Sequence, residues 1–144
     1  MTIPAGTFAY RRRVAFADTD SMGVVHHVNY LKYFEEARVA WLRETGLHRL
    51  HYPKANMCLA VIESACRHFS PARFEDEVLV YVQARGERLK IHMQYAIVQA
   101  ADESKVIAVG RTVLVPVNDQ LKPLRPPAEL AKKLENGTWT ETWL

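Results

Sequence analysis

No apolar run in this chain approaches the roughly 20 residues that a membrane-spanning helix needs, so no membrane span is expected. The opening residues, MTIPAGTF, lack a charged start followed by an apolar stretch, which leaves no sign of a signal peptide. Cysteine is scarce, with only Cys58 and Cys66. Both fall in one strand-like run, about 26 Å apart along a straight strand, whereas a disulfide needs Cα atoms within about 7 Å. They are expected to be reduced, buried thiols, and nothing beside either one reads as an activating base. A cytoplasmic protein is the expectation that follows. Internal repeats, low-complexity tracts and linkers are also missing, so residues 1–144 are read as one domain. Charge of one sign is only mildly in excess, at a net +3, short of a nucleic-acid-binding signature. The run Arg11–Arg12–Arg13 sits inside an alternating apolar pattern of Phe8, Tyr10, Val14 and Phe16, and reads as solvated charges on a strand.

Hydrophobic residues make up 49% of the chain, enough for a real core. Phe8 to Phe16 reads as a first strand. A helix is predicted from about Val28 to Thr45, with no internal Gly or Pro and with Gly46 placed as a C-cap. Tyr30, Phe34, Ala37 and Trp41 recur at helical spacing, and other apolar residues widen that face until only a narrow polar stripe remains, so the helix should be largely enclosed. Strands follow at Met57 to Phe69, Val78 to Arg85, Leu89 to Val98 and Val106 to Val117, with turns at Gly86-Glu87 and Asp102-Glu103 and a short terminal helix near Pro127 to Leu134. Short connections demand antiparallel pairing. One sheet must then curl round one apolar helix, an α+β architecture with the helix on the concave face.

The stretch just before the helix is chemically dense. FADTDSMGVVHHVNY carries two aspartates, a glycine and two adjacent histidines. A helix starting near His27 has no Ser, Thr, Asp or Asn at its expected N-cap, which would leave its first N–H groups unclaimed at the positive end of the dipole. Gly23 suits a loop that turns tightly or lets a ligand approach its backbone. His26 and His27 could suggest a metal, but adjacent side chains rarely aim at one ion and no third ligand is evident, so no metal site is expected. Asp18 reads as structural, capping the loop or pairing with an arginine.

Asp18-Thr19-Asp20, Gly23-Val24-Val25-His26, Asn29-Tyr30, Phe34-Glu35 and Ala37-Arg38, followed by Phe69 to Val82 (FSPARFEDEVLVYV), together resemble the hotdog-fold thioesterases of the 4-hydroxybenzoyl-CoA thioesterase class, especially the YbgC-like acyl-CoA thioesterases. The resemblance implies a curved five-stranded antiparallel sheet wrapped round one long helix, and hydrolysis of acyl-CoA to free acid and coenzyme A. It places the catalytic carboxylate on Asp20, as general base or nucleophile, and the carbonyl-polarising N–H on His27. It implies substrate contacts at Gly23, Val25, His26, Asn29 and Tyr30, with Glu35 as an ion-pair, interface or second acidic group. Arg88 and Lys90 fall where the family often meets the nucleotide, ahead of Arg73, Arg111, Lys122 and Arg125. No cofactor is implied, because coenzyme A belongs to the substrate. A homodimer or homotetramer is implied, with the active site at the dimer interface.

The chemistry suits these residue types. A thiol with a pKa near ~8.5 leaves with little acid assistance, so the minimum kit is a carboxylate and oxyanion donors. The hydratases of the same fold place Asp and His five apart with Asn-Pro between, and here the fifth residue after Asp20 is Val25. A non-catalytic acyl-CoA-binding protein would have no need of Asp20. An acyl-carrier-protein thioesterase is the nearest alternative, since the basic balance suits that acidic partner.

Overall fold

The computed structural model describes residues 1–47, 57–141 and 143. Strands β1 (Phe8–Arg13), β2 (Cys58–His68), β3 (Glu77–Glu87), β4 (Lys90–Gln99) and β5 (Val106–Val117) form one antiparallel sheet in the order β1-β3-β4-β5-β2. Helix α1 (Val28–Glu44) packs on one face, and α2 (Ala128–Glu135) follows the last strand. This is the hotdog fold, five strands curved against a central helix and not closed into a barrel.

The core lies between α1 and the sheet. Tyr30, Tyr33, Phe34, Ala37 and Leu42 point down from the helix onto Val80, Val82, Ile91, Met93, Tyr95 and Ile97. Phe34 stacks on Tyr95, ring centroids 4.5 Å apart, and lies directly over Gly110 of β5. The helix is less enclosed than its apolar content predicts. The sheet covers one face only, and Val28 and Leu31 remain 46% and 39% exposed. Arg38 is buried, although it is charged, and lies near Tyr95 of the sheet.

Two boundaries differ from the sequence reading. Strand β1 ends at Arg13, because the chain turns at Phe16–Asp18, where the Asp18 carboxylate accepts the Ala15 N–H at 2.9 Å. The β3–β4 turn falls at Arg88, whose φ is +56°, not at Gly86. Gly86 stays in the strand and leaves room for Leu134 of α2, which would lie 3.5 Å from a Cβ there. Arg12 is also more than a solvated charge. Strand alternation turns it towards α1, where it reaches Glu36 at 2.8 Å and Asp18 at 3.3 Å.

Candidate active site

Asp20 opens a tight hairpin. The Gly23 N–H donates to the Asp20 carbonyl at 3.0 Å and the Asp20 N–H donates to the Val24 carbonyl at 2.9 Å. Gly23 has φ +75°, the left-handed residue that this three-residue turn requires. A Cβ there would meet nothing within 4 Å, so the backbone angle alone calls for glycine. The Asp20 carboxylate is held by one oxygen, since Oδ1 accepts the Met22 N–H at 2.8 Å. Among the described residues nothing donates to Oδ2.

Asp18 fastens this hairpin to the rest of the fold. Its Oδ2 accepts the Ala15 N–H and, at 2.7 Å, the Tyr33 hydroxyl, with the Arg12 guanidinium 3.3 Å away. Its carbonyl accepts the His26 N–H and the Asn29 side-chain amide, each at 2.8 Å. Burial first, and the Asp18 carboxylate second, push the Tyr33 hydroxyl far above its ordinary pKa, so it remains a donor. Asp18→Asn weakens the acceptor of three donors and removes the charge facing Arg12. We expect a loss of about 1–3 kcal/mol in urea unfolding, with most of the turnover retained in the folded fraction. A loss of activity without a loss of stability would assign Asp18 a chemical role instead.

The start of α1 lies beside Asp20. Helix N-termini leave N–H groups without intrahelical partners. The Asn29 and Tyr30 N–H groups are taken by the carbonyls of His26 and His27. The N-cap residue His27 makes no side-chain cap bond, as expected, but the preceding His26 accepts the Val28 N–H on Nδ1 at 3.2 Å, which puts the ring hydrogen of neutral His26 on Nε2. The His27 N–H alone has no acceptor among the described residues. The two imidazoles stack at 4.4 Å.

A cavity of about 340 Å³ joins these features, lined by Asp20, His27, Tyr30 and His68 with Met22, Val24, Val25 and the Phe69–Pro71 segment. Tyr30 is buried, and its hydroxyl lies 3.4 Å from the Ala72 N–H. Asn29 does not line the cavity; its amide is spent on the Asp18 carbonyl, which makes it a positioning group. His26 acts likewise through Val28. Glu35 is exposed on the helix and 3.7 Å from Arg38, away from Asp20. Arg88 and Lys90 are not brought to the cavity either. The row Gly86–Ile91–Leu114–Val61 lies at the end of the sheet opposite the row Ile97–Ala108–His68, roughly 20 Å away along the strands. Of the cations named from sequence, Arg73 is the near one, bridging Val24 backbone to backbone. Among the described residues no three of His, Cys, Asp and Glu converge on a common point as metal ligands would.

Sequence reading missed His68, Arg12 and Tyr33. His68 shares a strand face with Cys66 two residues earlier, and strand alternation could have shown it. Arg12 and Tyr33 act through Asp18, a contact between β1 and α1 that sequence spacing does not reveal.

A carboxylate with one free oxygen and an unclaimed N–H at a helix start, on two residues that line one cavity, can activate water and stabilise an oxyanion. The sequence profile described as "Thioesterase-like superfamily" matches residues 14–134. The chain belongs to the thioesterase-like superfamily. Two curated relatives are similar to this thioesterase. The 1,4-dihydroxy-2-naphthoyl-CoA hydrolase of Synechocystis is 31% identical over 133 residues, 88% of this chain and 94% of that one. The acyl-CoA thioesterase YbgC of Haemophilus influenzae is 50% identical over 73 residues, 51% of this chain and 54% of that one. Among solved structures, the 1,4-dihydroxy-2-naphthoyl-CoA thioesterase from Synechocystis superposes with a TM-score of 0.82 at 26% identity, covering 91% of this chain and 97% of that one. The chain is thus a hotdog-fold thioesterase, akin to enzymes that hydrolyse acyl-CoA. No helix among its described residues is long and apolar enough to cross a membrane.

Proposed function

We propose that this single-domain thioesterase hydrolyses acyl-CoA with Asp20 as the reacting carboxylate and the His27 N–H as oxyanion donor. One observation carries the reading: Asp20, whose Oδ2 takes no donor among the described residues, and His27, whose N–H has no acceptor there, line the same cavity. The carbonyl oxygen accepts from His27, and Asp20 either takes a proton from attacking water or attacks the carbon itself. Collapse of the tetrahedral species expels the thiolate. Val25 and Tyr30 line the cavity beside the acyl group, and Arg73, bridged to Val24 of the lining, is a cation for the phosphates.

The test is thiol release from a panel of acyl-CoAs, run beside the same acyl groups on acyl-carrier protein. Hydrolysis of at least one acyl-CoA is expected. Turnover of the carrier-protein substrates alone would move the reading to the acyl-carrier-protein alternative, which the net +3 charge favours.

The working form is a homodimer joined through β2. Both β1 and β2 are edge strands, but β1 presents Arg11 and Arg13, and charges blunt an edge against pairing. Strand β2 instead exposes Val61 and Ile62, 48% and 50% accessible, with Val28 and Leu31 of α1 also open to solvent. Ile62→Lys should shift the protein from dimer to monomer in sedimentation equilibrium at micromolar concentration. A wild-type monomer, or a variant that still pairs, would count against this interface.

A further inference from the structure

We propose that His68 is a second catalytic residue, whose Nε2–H hydrogen-bonds the departing thiolate sulfur. The inference rests on the thioesterase reading of the Asp20 cavity, to which it adds the partner of the leaving group. His68 is the last residue of β2, is exposed, and lines that cavity with Asp20 and His27. It enters from the β2 exit, whereas Asp20 enters from the hairpin before α1. Its ring rests on Tyr30, centroids 5.3 Å apart and tilted by 47°, which holds the imidazole over the cavity.

Its neighbour can set the tautomer. Cys66 Sγ lies 3.9 Å from His68 Nδ1. Burial pushes the Cys66 thiol up to about 11, so its hydrogen stays on sulfur, where it can be donated to Nδ1. With the thiol as donor, neutral His68 carries its hydrogen on Nε2, the tautomer the proposal uses. The same contact shows that Cys66 has an imidazole beside it, contrary to the sequence reading, yet the raised pKa keeps it from being a nucleophile.

The electron count closes without a further reactant. Water adds to the carbonyl carbon and gives a proton to Asp20. The carbonyl electrons move to the oxygen held by the His27 N–H. When C=O reforms, the C–S bond breaks and its electron pair stays on sulfur. The thiolate accepts the His68 Nε2–H bond, leaves without a formal acid, and is protonated afterwards by Asp20 or solvent.

The variants are His68→Phe, which keeps an aromatic ring on Tyr30 without the donor, and His68→Gln, which restores an N–H. Each is assayed on an acyl-CoA and on the 4-nitrothiophenyl thioester of the same acid, whose delocalised thiolate needs no donor. His68→Phe should lower kcat on acyl-CoA by about 10- to 100-fold, the range for a hydrogen bond to a charged group, and change the aryl thioester less than about twofold. His68→Gln should recover most of the loss. Equal losses on both substrates, or no loss on acyl-CoA, would overturn the proposal. Asp20→Asn separates the two claims: it should lose both substrates, and if it keeps both, the thioesterase reading of this cavity fails first.

Discussion

Asp20→Asn should reduce turnover of the best acyl-CoA by at least about 10²-fold, the low end for loss of a general base. The substitution isolates chemistry from structure. Asparagine retains a side-chain oxygen that can accept the Met22 N–H, so the hairpin around Gly23 is kept. The three donors to Asp18 are untouched, so the hairpin stays fastened to α1. What disappears is the carboxylate charge on the free oxygen, and with it the capacity to take a proton or to attack carbon. Substrate affinity should survive, because the His27 N–H and the cavity remain. The thermal midpoint should move little. Near wild-type turnover in Asp20→Asn, with a loss in Glu35→Gln, would show that the carboxylate is elsewhere.

The largest stability effect is expected at Gly110→Ala. A Cβ at this position of β5 would lie 2.6 Å from Phe34 Cζ and 2.7 Å from the Ala65 carbonyl oxygen. Neither neighbour can yield cheaply. Phe34 is fully buried and stacked on Tyr95, and the Ala65 carbonyl belongs to the β2–β5 ladder. Overpacking usually costs about 1–3 kcal/mol and more when backbone must shift; a cost at or above the top of that range is expected here. The thermal midpoint should fall by roughly 10 °C, and urea unfolding should give the same ranking. A midpoint within a degree or so of wild type would mean that α1 is not seated over Gly110 as described.

The two effects differ in how visible they were beforehand. Val28 to Thr45 was legible as a helix because its apolar spacing runs unbroken between a histidine pair and Gly46, and α1 spans all of it but Thr45, its C-cap. The four later strands were legible from alternation and turn residues. Gly110, inside a strand pattern, gave no hint that a helix residue lies on it, because that contact joins residues 76 positions apart (34 to 110). The exposed side of α1 was misread for a related reason: apolar content says that a face prefers cover, not which surface supplies it. At the site, the resemblance placed Asp20 and His27 through one contiguous stretch before the helix, and both line the cavity. The bond from the Val28 N–H to His26, one residue before the N-cap, was not foreseen, since imidazole is not among the usual capping groups. Arg88 and Lys90 were placed by resemblance, but register carries their hairpin to the far end of the sheet in the same chain.

The central claim is a position: the thioester carbonyl sits between Asp20 and the His27 N–H. A crystal structure of Asp20→Asn soaked with an uncleaved acyl-CoA measures that position directly. The account predicts the carbonyl oxygen about 2.7–3.1 Å from the His27 backbone nitrogen, with residue 20 facing the carbonyl carbon and His68 on the sulfur side. A thioester bound outside this cavity, or with its carbonyl turned away from the start of α1, would contradict it.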